Sequence, residues 1–393
     1  MKIILSAAMF LCAAGAAFAQ DQQVGARTKA MGGSYTAFED DPVSIWLNPA
    51  GIATQPDAIS LAYQTFTIYE FETPPNGMGL IGSTGEYALN SPALVPSYLG
   101  AVFQVGSGGN QAVGLAFTTP FRMKLFWQSV QTTLTPVIVD QGFDRLRAAY
   151  ARDFRFSQEG FFTHLSVGLG LDLSVTKWTY DEVKDLGGGS GAATLSISGT
   201  DAGFGGGLGI LAGLYDNTRN FKVNFGAAWQ SRINYKFTLP QSLTPLFDWP
   251  NQYQAGLTFY LLEGMPLRIT TDAQVIGWRD AGTKSKVAGR EDFQNTVSYS
   301  LGAEYRIKVG DGTSLYPRAG LRVFDAPWSD PNSLPAVGTS ILDINTKDDR
   351  FLIGTFGLGL GWMTEARKGR SFDVAFDIGG YAPGFAASFT MEF

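Results

Sequence analysis

Residues 164 to 176 read His-Leu-Ser-Val-Gly-Leu-Gly-Leu-Asp-Leu-Ser-Val-Thr. The odd positions, Leu165 to Val175, are all apolar, and the even positions, His164 to Thr176, are all polar or small. A strict two-residue period makes a strand with two unlike faces. Strands of soluble domains usually stop near ~5–6 residues, whereas a tilted strand crossing a bilayer needs ~9–11. Large apolar groups on one face and small or polar groups on the other suit a sheet with lipid outside and a wet lumen inside. A long sandwich strand would show the same period, so recurrence decides between the two.

The pattern recurs about fourteen times between Ile59 and Phe393. Phe221, Val223, Phe225 and Ala227 oppose Lys222, Asn224 and Gly226; Phe372, Val374, Phe376 and Ile378 oppose Ser371, Asp373, Ala375 and Asp377. The connections add a second signal. Short ones (106–110, 155–160, 216–220, 262–265, 308–312, 364–370) alternate with long ones (69–97, 120–142, 180–196, 236–250, 279–293, 325–347), and only the last hairpin, near 381–384, breaks the rule. Short periplasmic turns and long outer loops belong to outer-membrane barrels, and an even strand count suits a single-chain bacterial one. The expected fold is all-β: a 14-stranded antiparallel transmembrane β-barrel. Aromatics near strand ends, among them Trp127, Trp178, Tyr235, Trp278 and Phe324, are expected to form interfacial girdles.

Composition agrees. Aromatics are 13%, charged residues only 16%, and Gly is 48 of 393, with no apolar run long enough for a helical span after the N-terminus. A formal net charge of −6 gives no basic footprint for nucleic acid. Residues 1–19 combine Lys2, an apolar core and Ala17-Phe18-Ala19, which reads as a cleaved signal peptide. Cys12, the only cysteine, lies inside it, so the mature chain is expected to carry no disulfide, thiolate or cysteine metal site. Residues 20–57 lack alternation and are rich in turns, which makes them a separate element ahead of a barrel over 58–393. A barrel this wide leaves an aqueous lumen unless something fills it. Its lumen face carries Arg145, Arg147, Lys222, Arg268, Arg318 and Arg322 beside Asp172, Asp272, Glu304, Asp373 and Asp377, and such charges need partners.

The stretch Gly25 to Gly51, with Gly32-Gly33, Asp40-Asp41 and above all Asn48-Pro49-Ala50-Gly51, resembles the N-terminal plug of the FadL/OmpP1/TodX family of hydrophobic-compound transporters. The segments Val95–Ser97 and Gly114–Phe121, the aromatic C-terminus and the strand count resemble it too. The resemblance implies a hatch inside the barrel, with Asn48, Pro49, Ala50 and Gly51 in its gating turn. It implies passive uptake of long-chain fatty acids or aromatic hydrocarbons, with lateral release at a kink in the third strand. Outer-membrane lipid, lipopolysaccharide and the barrel-assembly machinery are the implied surroundings of a monomer without cofactor. Type IX secretion barrels of the PorV and PorQ kind carry a similar plug, which makes a secretion scaffold the alternative; a general porin is a third reading.

Apolar groups in the long loops, Met78, Leu80, Leu125, Phe126 and Trp127, are candidate capture residues for a hydrophobic ligand. Arg145 and Arg147 are candidate anchors for a substrate carboxylate, against the commoner reading of structural pairing. His164, the only histidine, has Ser166 nearby but no base–orienter pair, and it falls at the periplasmic end, so a solvated lumen residue is favoured over catalysis. Gly207-Leu-Gly-Ile-Leu-Ala212 matches a dinucleotide motif without its βαβ context and reads as small-residue packing. Asp343, Asn345, Asp348 and Asp349 depart from calcium-loop spacing.

Overall fold

The computed structural model describes residues 23–38, 40–73, 87–106, 108–129, 137–185, 192–236, 248–264, 266–281, 295–325, 350–364, 368–379 and 384–393. Strand segments follow in chain order. They are β1 Ala58–Thr73, β2 Tyr87–Gln104, β3 Gln111–Ser129, β4 Val137–Arg155, β5 Gly160–Asp185 and β6 Ala192–Asp216, then β7 Phe221–Gln230, β8 Gln252–Leu261 and β9 Leu267–Ile276. The remainder are β10 Thr296–Tyr305, β11 Ile307–Gly310, β12 Thr313–Asp325, β13 Arg350–Met363, β14 Gly369–Gly379 and β15 Gly384–Glu392. β10 and β11 are one strand interrupted at Arg306, since both pair with β12 in a continuous register. The crossings therefore number fourteen. Each pairs antiparallel with its sequence neighbour, and β1 pairs with β15 from Ala58↔Glu392 to Gln64↔Ala386, which closes the barrel.

The faces follow the two-residue period. On β5, Val167, Leu169, Leu171 and Leu173 are exposed, Leu171 to 63%, while Ser166, Asp172, Ser174 and Thr176 are buried. Exposed aliphatic rows with buried polar rows invert a soluble protein and fit a wall whose outer face meets lipid.

Several strands outrun the sequence reading. Alternation continues past Pro120, so Phe121–Ser129, expected as loop, is the outer part of β3, paired from Phe121↔Phe143 to Trp127↔Val137. The same holds for the outer ends of β1, β2, β5 and β6. β5 and β6 have 26 and 25 residues, which at ~3.3 Å per residue far exceeds an apolar band ~25 Å tall. Their far ends project beyond the bilayer on the side of the long connections. The girdle expectation fails in part. Trp178, Tyr235, Trp278 and Phe324 are buried inside. Trp178 shares the even parity of Asp172 and Ser174, so β5 itself turns it inward.

The β2–β3 ladder runs from Gln104↔Ala112 to Tyr98↔Thr118 and stops. Above it β3 advances from Thr118 to Phe121 while its partner β4 moves only from Arg145 to Phe143, a one-residue bulge at Thr119-Pro120. β2 shifts register against β1 beside Pro96. Neither proline can donate to a ladder, so β2 and β3 part here; from Leu125 onward β3 pairs instead with β1, in parallel, from Tyr69↔Leu125 to Thr73↔Ser129, which bounds the gap above.

Candidate functional site

Residues 23–38 and 40–57 lie across the lumen in short turns. Ala26–Ala30 and Ser44–Leu47 are single helical turns, and Pro49–Ile52 is a 3₁₀ turn. Asn48 caps the last of these. Its Oδ1 accepts from the Ala50 N–H at 3.2 Å, while its Nδ2 donates to the carbonyls of Thr36 at 2.7 Å and Ile210 at 2.9 Å. One side chain thus closes the turn, ties it to a second turn and bonds it to β6. Pro49 supplies the preset φ at the first position of the turn.

The wall is shaped to receive this segment. A Cβ at Gly209 would lie 2.0 Å from Asn48 Oδ1, at Gly168 2.3 Å from the Ala50 nitrogen, and at Gly226 2.2 Å from the Thr36 carbonyl oxygen. On the opposite side, Gly302 and Gly320 would meet Met31 and Gly32 in the same way. The glycines on the lumen face therefore mark the height at which backbone packs on backbone. Gly207–Ala212 falls in this belt, in keeping with small-residue packing.

Polar bonds hold the two halves of the segment differently. The first half meets charges. Arg27 donates to Glu304 at 2.9 and 3.0 Å, and Lys29 pairs with Asp377. Asp272 Oδ2 accepts from the Tyr35 N–H at 2.8 Å, the Thr36 N–H at 2.8 Å and the Thr36 hydroxyl at 2.6 Å. Glu304 also receives Arg318 at 2.6 Å and Arg268 at 3.2 Å. The second half is held mainly through its carbonyls. Tyr98 donates to Pro42 at 2.6 Å, and Arg147 and Gln230 donate to Trp46 at 2.7 and 2.9 Å. Tyr98 belongs to the last rung of the β2–β3 ladder, so the Pro42 corner sits at the interrupted seam.

Outside the membrane-spanning strands, burial pushes the Asp41 carboxyl up to about 6, with Asp373 and Asp40 adding repulsion against the pull of Arg27 and the Val43 N–H. Beneath the segment, at the end of the short turns, a cavity of about 590 Å³ is lined by Arg27, Asp40, Arg268, Arg306, Tyr316 and Arg318 among others.

Arg145 and Arg147 are fully buried and share Asp172. Arg147 engages both its oxygens, Nε to Oδ1 at 2.7 Å and Nη2 to Oδ2 at 2.8 Å; Arg145 reaches Oδ2 with Nη2 at 2.6 Å. Structural pairing therefore holds both arginines, and the Arg147 fork is fully engaged there. His164 Nδ1 lies 3.3 Å from Thr163 Oγ1, while the Ser166 hydroxyl donates to Asp153 at 2.8 Å, so no serine–histidine pair forms. Leu125, Phe126 and Trp127 lie on β3 and not in a loop. Met78 and Leu80, Gly187–Gly191 and the group Asp343, Asn345, Asp348 and Asp349 fall outside the described residues. Among the described residues no cluster of metal-ligating side chains occurs.

No family model matches the sequence, and no curated protein does. Solved structures match over nearly the whole chain. A Pseudomonas aeruginosa FadL homologue aligns over 97% of this chain and 100% of its own, with a TM-score of 0.60 at 14% identity. The fold is that of the FadL-type barrels. The Ralstonia pickettii toluene transporter TbuX aligns over 95% of this chain and 99% of its own, with a TM-score of 0.59 at 16% identity. The Pseudomonas putida toluene transporter TodX aligns over 93% and 97%, with a TM-score of 0.58 at 15% identity. Within this FadL-type barrel the sequence pointed to Asn48–Gly51, and to Asp272 and Glu304 only as two of many inward charges in need of partners, but not to Tyr98. Their inward parity was readable; which of many inward polar residues meet the N-terminal segment was not.

Proposed function

We propose that this chain is an outer-membrane barrel for passive passage of hydrophobic small molecules, exported by a signal peptide over residues 1–19. Residues 20–57 serve as the hatch, and release is sideways through the β2–β3 seam. The observation that carries this reading is the interrupted ladder above Tyr98↔Thr118 with the Pro42 corner of the hatch bonded beside it. A solute stopped by the hatch has next to it the gap between the β2–β3 ladder and the β1–β3 ladder above it, and an apolar solute gains by leaving into lipid rather than water. The matching toluene transporters support an aromatic hydrocarbon as the cargo, with a long-chain fatty acid as the other class. Asn48–Gly51 act as the gating turn, while Leu125–Trp127 on β3 and Met78 and Leu80 supply the capture surface. The barrel works as a monomer among lipopolysaccharide and lipid after insertion by the assembly machinery.

Deleting Thr119 removes the extra residue and keeps β3 in one register with β4 past Pro120, which straightens β3 beside β2. Uptake of labelled toluene and oleate by cells carrying this variant should fall at least tenfold, with heat-modifiable migration of the barrel intact. Uptake equal to wild type would overturn lateral release. Absence of toluene and oleate uptake in the wild type, with a large secretion complex co-purifying, would replace transport by a scaffold role.

A further inference from the structure

The cavity of about 590 Å³ beneath the hatch owes its room to one rung of small side chains. Ser314, Gly361, Ser371 and Thr390 pair in register across β12 to β15, with Lys308 of β11 at one end of the rung. They share the parity of Arg318 and Asp373, which are buried on the lumen side, so the rung faces inward. Arg306 continues the inward row of Glu304 and Lys308, since Glu304↔Arg318 and Ile307↔Leu315 belong to one register. Serine, threonine and glycine fill little of the lumen, and passage of an apolar solute uses none of them.

At the inner end of this cavity the carboxylates are engaged. Glu304 takes Arg27, Arg268 and Arg318, and Asp40 takes Arg27 and Arg268. Asp373 takes Arg318 at 2.6 Å and the Ser371 hydroxyl at 3.2 Å. The donors are in surplus. Arg268 bonds Asp40 and Glu304 through Nη1 alone, which leaves Nε and Nη2 together on one edge of its guanidinium. Arg306 gives Nη2 to the Gly264 carbonyl at 2.9 Å and meets no carboxylate among the described residues. Lys308 and the Ser314 hydroxyl bond nothing among the described residues. The remaining carboxylates, Asp311 and Glu392, stand at the outer rim, and Glu392 accepts the Gly369 N–H at 2.6 Å.

We propose that this cavity binds a soluble phosphate monoester with a hydroxylated organic part, entering from the end of the short turns. The phosphoryl group takes the free edge of Arg268 together with Arg306, Lys308 and the Ser314 hydroxyl. A tetrahedral dianion accepts from several directions at once, which suits donors arriving from three neighbouring strands, whereas a planar carboxylate is served by a single fork. The cavity is of small-molecule size and far larger than a phosphate ion, so the organic part is held as well. It lies along Gly361 toward Ser371 and Thr390. Thr390 and Ser60 share one hydrogen bond of 3.0 Å, so one hydroxyl proton of that pair is left to donate. The lining faces the lumen, which a water-soluble ester reaches and the head of a bilayer lipid does not. The site borders the hatch through Arg268 and Asp40, and it stands independently of what passes through the barrel.

The test is isothermal titration of the full-length barrel in a polyoxyethylene detergent, at fixed ionic strength, with glucose 6-phosphate, gluconate and glucose. Glucose 6-phosphate should bind at least tenfold more tightly than gluconate, which has the hydroxyls and a carboxylate, and glucose should not bind. The double variant Arg306→Met with Lys308→Met should weaken glucose 6-phosphate at least tenfold, with heat-modifiable migration checking that the barrel has folded. Arg268→Lys, which keeps the charge and loses the free edge, should weaken it at least fivefold. Arg219→Met removes a cation from the β6–β7 turn, outside the cavity, and should leave the affinity unchanged. No binding of glucose 6-phosphate at millimolar concentration, equal binding of gluconate, or unchanged affinity in the folded double variant would overturn the proposal. A loss in Arg219→Met equal to that of the double variant would overturn it too, since diffuse charge and not a site would then hold the anion. Toluene uptake without glucose 6-phosphate binding would refute this site and leave the transport reading standing.

Discussion

Asp272→Asn is the sharpest perturbation of the hatch. The carboxylate accepts three hydrogen bonds on one oxygen, all from Tyr35 and Thr36 of the hatch. The substitution keeps the volume and removes the charge. Hydrogen bonds to charged groups contribute ~1.5–3 kcal/mol each and neutral ones ~0.5–1.5, so three bonds lose about 3 kcal/mol together. Burying Asp272 without a bonded cation has its own cost, and relieving it offsets part of that loss. A net 1.5–3 kcal/mol, taken as an order of magnitude, is roughly a ten- to hundredfold rise in the released population. Hydrogen exchange by mass spectrometry on the detergent-solubilised barrel reads this directly. Protection of the Tyr35 and Thr36 amides should fall by roughly that factor, with amides of β9 and β10 unchanged. Unaltered protection at Tyr35 and Thr36 would refute the argument that this carboxylate anchors the first half of the hatch.

Further outcomes follow from the same contacts. Tyr98→Phe removes the bond to Pro42 at a cost of about 1 kcal/mol, so exchange in Pro42–Leu47 should quicken about fivefold while Tyr35 and Thr36 stay protected. Gly209→Val puts side-chain atoms where Asn48 Oδ1 and Pro49 stand, and should displace the Asn48–Gly51 turn and make cells leak a small hydrophilic antibiotic. Asp41, whose folded value is raised to about 6, favours the packed hatch when protonated. That stabilisation is complete at low pH and is lost as pH rises toward about 6, ~3 kcal/mol in all. Exchange of the hatch should therefore be slower at pH 5 than at pH 7.5 after correction for intrinsic rates, and Asp41→Asn should flatten the difference.

The barrel was legible because its signal is repeated and local. The alternation at 164–176 gives β5 its two faces without reference to any other strand. The seam needed pairing between strands: Pro96 and Pro120 are visible in the sequence, but their convergence depends on the register of β2, β3 and β4. The length of β3 was misjudged at Pro120, where a breaker within an alternating run marks a bulge and not an end. Trp178, Tyr235 and Phe324 were assigned to lipid by position along the strand, although the parity of Trp178 already turned it inward. Arg145 and Arg147 illustrate the harder case. Their face was readable, but a buried arginine bonds to whichever carboxylate the strand register sets beside it, and Asp172 lies directly opposite Arg147 on the next strand.

The most direct test of a stoppered barrel is single-channel conductance in planar bilayers, comparing the mature chain with a variant lacking residues 23–56. The mature chain should be almost silent, and the shortened barrel should open in large, uniform steps with the lumen free of its hatch. Large steady conductance of the intact chain, or an equally silent shortened barrel that is folded and inserted, would contradict the account.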